Sequence, residues 1–152
     1  MNSGQSTGLS SEPHGIDLFT NLAGESSELA ARLREVAVGV LRRIGSVESR
    51  PAHGGVVATF TDANRALICA VQIQRSFEDW GSSHTAPVRA GISRDDEDAA
   101  AVAAQAGGGE ILVTESVRAL TAPRGHLFTA RGDLHLAGAS VPLFALRWWE
   151  HD

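Results

Sequence analysis

Gly55-Val56-Val57-Ala58-Thr59-Phe60-Thr61-Asp62, running on into Ala63 to Gly81, is the stretch that decides the fold. Its first six residues read as a strand. Thr61 or Asp62 then supplies an oxygen acceptor for the free amides at a helix start. The helix that follows carries Ala66, Cys69, Ala70, Ile73, Phe77 and Trp80 on one stripe, and Gly81 stops it. A strand that hands over directly to a one-sided helix calls for a sheet with helices laid on it.

The flanking sequence extends this pattern. Ile16-Asp17-Leu18-Phe19-Thr20 is a short strand. Ser26 or Ser27 caps a helix to about Ile44, with Leu29, Leu33, Val36, Val40 and Ile44 on one face, and Gly45 ends it. Residues 47–50 pair with 55–60, and Pro51 to Gly54 connect them. Downstream, Pro87 to Ile92 is a strand. Ser93 caps a third helix over roughly 94–106, which Gly107-Gly108-Gly109 closes. Ile111 to Thr114 is a buried strand, and a short helix follows to about Leu120. Strands near 127–136 and 141–149 form a hairpin around Gly138 to Ser140.

The order is β-α-β-β-α-β, then α-β-α and a hairpin. The first six elements predict an α+β fold, a ferredoxin-like split βαβ sandwich whose mostly antiparallel sheet carries helices on one face. Residues 1–14 are Ser, Gly, Gln, Glu and Pro with almost no apolar content, and are expected to be a disordered tail. Residues 15–152 form the single domain.

Composition narrows the function. The chain of 152 residues is 43% hydrophobic, enough to bury a core, and carries a net charge of −5. That charge, with no Lys/Arg-rich run, disfavours sequence-independent nucleic-acid binding. Every one of the 13 basic residues is Arg, so chemistry that needs a Lys ammonium is excluded. Cys69 is the only cysteine and falls in an apolar helical stretch, where an inert thiol is expected. The six His residues are scattered, never paired at ligand spacing, which argues against a zinc site. No signal peptide and no membrane-length apolar run are visible, so a cytoplasmic protein with no membrane partner is expected.

Several strings in order resemble the class III adenylate/guanylate cyclase catalytic domain. Phe19-Thr20-Asn21-Leu22-Ala23-Gly24-Glu25-Ser26 is similar to F-T-D-I-V-G-S-T. Gly55 to Phe60 resembles the end of G-D-G-x-L-A-T-F, and Ala66 to Gln74 resembles A-x-x-C-A-x-x-I-Q. Val88-Arg89-Ala90-Gly91-Ile92 looks like V-R-x-G-I. Ala106 to Val113 is similar to A-G-P-G-E-I-L-V, and Phe128 to Gly138 follows F-x-x-R-G-x-x-x-L-K-G. The likeness covers nearly everything after the tail.

The resemblance implies a fold, and also a chemistry whose groups are missing. The family attacks the α-phosphate of a nucleotide with its own ribose 3′-hydroxyl, using two divalent ions held by two aspartates. Those two positions fall on Asn21, a neutral ligand, and Gly54, which has no side chain. The partner subunit's Asn and Arg, which steady the transition state, fall on Glu97 and Ala101. The phosphate-binding Lys of L-K-G is Ala137, and the adenine-selecting Lys aligns with Arg50. About a dozen residues that make a hairpin in the family are absent after Ile92, so Ser93 to Asp98 turns directly into the next helix.

The resemblance therefore implies a catalytically inactive, cyclase-like domain, a homodimeric regulatory or ligand-binding module in signalling that needs no cofactor. Candidate ligand-binding residues are Phe19, Asn21, Arg50, His53, Gly54 and Ser93. The alternatives are a working or weakly working cyclase, requiring Mg or Mn and using Asp17 and the run Asp95 to Asp98 in new roles, and a subunit that regulates a protein partner. The run Asp95-Asp96-Glu97-Asp98 reads as an acid-rich first helical turn rather than a metal site. One of Trp148 and Trp149 is expected in the core, since adjacent strand residues face opposite ways.

Overall fold

The computed structural model describes residues 15–22, 27–46, 48–52, 54–77, 88–94, 97–136 and 138–148. The expected tail, Ser26, His53, Trp80, Gly81, Asp95, Asp96, Ala137 and Trp149 lie outside the described residues. Strands are β1 (Ile16–Leu22), β2 (Glu48–Ala52), β3 (Gly55–Phe60), β4 (Val88–Arg94), β5 (Ile111–Thr114), β6 (Phe128–Leu136) and β7 (Ala139–Leu146). Helices are α1 (Ser27–Ile44), α2 (Ala63–Ser76), α3 (Ala99–Ala104) and α4 (Glu115–Thr121). The seven strands form one sheet in the order β2-β3-β1-β4-β5-β7-β6. Only β4 and β5 run parallel; the other neighbours are antiparallel. β1 lies between β3 and β4, the arrangement expected of a split βαβ core.

Local chemistry fixes the helix ends. The Asn64 amide donates to Asp62 Oδ1 at 2.9 Å, which caps α2 and stabilises it by about 1 kcal/mol. Gly45 takes φ +92°, and its N–H donates to the Leu41 carbonyl at 2.8 Å, closing α1. Arg65 Nη1 donates to the Ile44 carbonyl at 2.8 Å, so the start of α2 holds the open end of α1.

The main core lies between the sheet and the pair α1–α2. Ile16, Leu18, Ala58, Phe60, Ala90, Ile92 and Val113 meet Leu33, Val40, Leu67, Ile73 and Phe77 there, all buried. Truncating one of the larger of these to Ala costs about 2–5 kcal/mol. Cys69 is buried in the same cluster, and burial pushes its thiol up to about 12 against a weaker pull from Arg43. A thiol in that range is inert at neutral pH, as its surroundings in the sequence predict.

α1 and α2 share one face, as the reading of the first six elements expects, and the next helix takes the other. α3 crosses the opposite face, where Ala99 and Ala103 cover Phe19 and Val57. Its crossing point is Gly91: a Cβ there would stand 2.5 Å from the Ala99 carbonyl oxygen and closer still to Ala103 N. Only glycine lets the backbones approach so far. Val102 and Ala106 continue this second layer over Leu112, Leu143 and Ala145.

Five local expectations change. Pro51 belongs to β2, opposite Val56, because β2 is a sheet edge where a missing N–H costs nothing. α2 stops at Ser76, with Phe77 as its buried C-cap, before Gly81 is reached. Ser93 caps nothing: β4 runs through it to Arg94, paired with Asp17 and Ile16 of β1. Asp98 is the cap of α3, accepting from Ala101 N at 3.1 Å, so Glu97 precedes the helix. Gly107-Gly108-Gly109 follows a helix already ended at Ala104. It turns the chain into β5, held where Gly109 N donates to the Val88 carbonyl at 2.7 Å and Trp148 Nε1 donates to the Gly109 carbonyl at 3.0 Å. Trp148 is buried, the core tryptophan expected of the pair. Among the described residues no helix is long and apolar enough to cross a membrane.

Candidate functional site

The β1–β4 pair has two ends, and the described degenerate positions divide between them. Register sets the division, since Asn21 faces Arg89 while Asp17 faces Ser93 and Ile16 faces Arg94.

At the first end, β1 finishes beside the β2–β3 turn. Gly54 sits in that turn at φ +76°, with open space where a Cβ would be. Gly55 presses on β1: a Cβ on it would lie 2.7 Å from Asn21 Cβ and overlap the Thr20 carbonyl oxygen. The sequence thus brings Asn21 and Gly54 together through a glycine contact. Asn21 is half-buried and accepts from Arg89 Nε through Oδ1 at 2.9 Å. Thr20 Oγ1 also donates to the Arg89 carbonyl at 3.1 Å, locking the two strands here. Among the described residues no carboxylate pairs with Arg89. The strands carry two cross-sheet rows on the α3 side, Arg50–Val57–Phe19–Gly91 and, nearer the turn, Ala52–Gly55 beside Asn21–Arg89. Phe19 is a buried floor residue under Ala99 and Ala103. Arg50 is exposed at the sheet edge, with Nη1 3.4 Å from Glu48 Oε2.

At the second end, Glu97 is tied into the fold. Its Oε1 accepts from Arg94 N at 2.9 Å, Thr114 Oγ1 at 2.8 Å and Ser116 Oγ at 3.0 Å. Ser93, fully buried, donates Oγ to the Glu97 carbonyl at 3.2 Å. The short connection from β4 to α3 is thus closed by its own side chains. Ala101 lies in the first turn of α3, half-buried, its amide engaged by Asp98. A concavity of about 290 Å³ opens at this end too, lined by Ile16, Thr61, Asp62, Ala63, Arg94 and Leu120. It is remote from Asn21 and Gly54.

Phe19, Asn21, Arg50 and Gly54 therefore share one side of the sheet, while Ser93 and Glu97 stand at the far end. His53 and Ala137 fall outside the described residues. Register also keeps Asp17 from the turn, because it faces Thr59, whose Oγ1 donates to Asp17 Oδ1 at 3.0 Å. Nothing in the sequence alone assigns a role to Arg89. A charged side chain inside Val88-Arg89-Ala90-Gly91-Ile92 was the available signal, and its cross-strand partner was not.

Divalent ions of the Mg class need several anionic oxygens. Asn21 offers one carbonyl oxygen already bonded to a guanidinium, Gly54 offers no side chain, and Arg89 adds positive charge. These residues do not fit a metal pair. Among the described residues no group of three or more His, Cys, Asp or Glu could hold a metal ion.

The sequence matches no protein-family model and no curated protein. Solved structures do match in shape. An adenylate/guanylate cyclase/hydrolase from Silicibacter pomeroyi is 23% identical, with 88% of this chain and 95% of that one covered and a TM-score of 0.71. Adenylate cyclases from Trypanosoma brucei, described in their monomeric state, are similar at 18% identity, 88% of each chain and a TM-score of 0.69. The non-canonical dimeric guanylyl cyclase domain of a RhoGC fusion protein from Blastocladiella emersonii is similar at 11% identity, 90% of this chain, 97% of that one and a TM-score of 0.67. At these identities the likeness shows the fold: a mixed α+β cyclase-type domain.

Proposed function

We propose that this chain is a cyclase-fold domain that does not cyclise, a dimeric regulatory or ligand-binding module. One observation carries the reading. Where the resemblance calls for a metal-binding carboxylate, Asn21 holds the Arg89 guanidinium at 2.9 Å beside a glycine turn. Catalysis by this fold relies on cations that neutralise the triphosphate and activate the 3′-hydroxyl. Loss of one such group commonly costs a few kcal/mol of barrier, about 10²-fold in rate or more. The partner set falls on Glu97, engaged by Thr114 and Ser116, and on Ala101, which has no donor. A second copy would therefore bring no replacement. The dimer is read from the resemblance alone, and sedimentation of the purified chain tests it.

The activity test is direct. Incubation with ATP or GTP and Mg²⁺ or Mn²⁺ is expected to give no cyclic nucleotide above background. Product that disappears in Asp17→Asn would overturn the reading.

A further inference from the structure

The end of β1 that resembles a metal site carries the opposite charge preference. We propose that Arg89 and Asn21 form an anion site, which takes an oxyanion of the phosphate class directly and without a divalent ion. The inference rests on the reading of this end as degenerate and names what it binds.

Hydrogen-bond chemistry leads there. An Arg side chain has donors only. Its Nε lies 2.9 Å from Asn21, so the atom facing it is the amide oxygen, and the orientation of the amide follows. Oδ1 is then used, and Nδ2, with two protons, is turned away from Arg89. Both Nη groups of Arg89 are also uncommitted among the described residues. What this constellation still offers is donors, with a full positive charge and, among the described residues, no carboxylate partner. A planar guanidinium beside an amide NH₂ suits the tetrahedral oxygens of phosphate.

Space favours the same conclusion. Gly54 has nothing within 4 Å of its would-be Cβ, so the turn beside Asn21 carries no side chain at that position and is open there. Two aspartates here would pair with Arg89 and draw a cation. Their absence leaves the guanidinium as the charge that the described residues place here.

The test is titration calorimetry with inorganic phosphate and pyrophosphate at low ionic strength, in EDTA and then in Mg²⁺. The wild type is expected to show saturable binding in EDTA that Mg²⁺ does not enhance. Arg89→Gln should weaken it by about tenfold or more, through loss of a charge-assisted contact. Asn21→Asp should weaken it comparably while keeping the fold, because its carboxylate pairs with Arg89, so it decides the matter if Arg89→Gln does not fold. Arg34→Gln, an equal charge change on the exposed face of α1, should leave binding unchanged. Absent binding, binding that requires Mg²⁺, or equal loss in Arg34→Gln would overturn the proposal. Failure here with no cyclic nucleotide formed leaves the inactive-domain reading standing; Mg²⁺-dependent binding with cyclic product removes both.

Discussion

The two ends of the β1–β4 pair treat charge in opposite ways. At one, Glu97 is an acceptor whose Oε1 serves Arg94 N, Thr114 and Ser116. At the other, among the described residues, Arg89 is a donor engaged through Nε alone by a neutral amide. A polar group ringed by partners from three segments holds a fold together, and removing it strands each partner. A polar group with spare capacity at an open turn contributes little to the fold and is available to something else. The difference separates structure from function on one pair of strands.

Of the changes at these two ends, Gly55→Ala is expected to damage most. A methyl there would meet the Thr20 carbonyl oxygen and Asn21 Cβ, and backbone cannot step aside. Overpacking of this kind costs about 1–3 kcal/mol, and thermal unfolding should show a drop of roughly 2–4 °C per kcal/mol in a domain of this size. An unchanged midpoint would mean that the turn does not press on β1. Next comes Glu97→Ala at the bonded end, expected to lose about 2 kcal/mol as Thr114, Ser116 and the Arg94 amide lose their acceptor. Glu97→Gln should recover part of that, since its amide keeps one oxygen. Equal losses in the two variants would show that the carboxylate pattern does not matter.

A smaller effect is expected at Glu110, which lies between these extremes. Arg131 reaches it through Nε at 2.6 Å and Nη2 at 2.8 Å, and these bonds hold the Glu110 carboxyl below its ordinary value despite partial burial. With the folded value depressed, the pair's stabilisation is present above the unfolded carboxylate value of 4.5 and is lost as pH falls through the folded value. Both side chains are partly exposed, so Arg131→Gln should cost under about 1 kcal/mol at neutral pH and make the acid limb shallower. Denaturant midpoints measured from pH 7 downward check this; parallel curves for the two proteins would sink it.

The sequence showed most where information is local. β3 and α2 were readable because a strand, a cap and a stripe follow one another without a break, and Asp62 does what a cap residue should. The start of α3 was misread for a physical reason. Ser93 and the acids after it satisfy capping rules as well as Asp98 does, and the pairing of Ser93 with Asp17, far away in the chain, keeps β4 going. The second helical layer was hidden for the same reason: Gly91 does not announce that a helix backbone will rest on it. At the candidate site, Asn21 and Gly54 were visible as departures from a motif. Arg89 was not, because its meaning depends on a residue 68 positions away. The turn end and the Glu97 anchor both rest on contacts across strands and turns, which local pattern does not encode.

The smallest expected stability effect is the sharpest test of the contrast. Asn21→Ala removes one hydrogen bond to a half-buried guanidinium that water can still reach. By that reasoning unfolding should shift by less than about 0.5–1 kcal/mol, well below the shift for Glu97→Ala. Phosphate binding should fall by more than stability does, because Arg89 loses the acceptor that orients it and the anion loses the amide donor. A structural end would show the reverse, a large change in midpoint with binding altered only through unfolding. Measuring both quantities on Asn21→Ala and Glu97→Ala places each end on one side of that line. If Asn21→Ala were the more destabilising of the two, the turn end would be a strut like its counterpart, and Arg89 would have no spare capacity to offer a ligand.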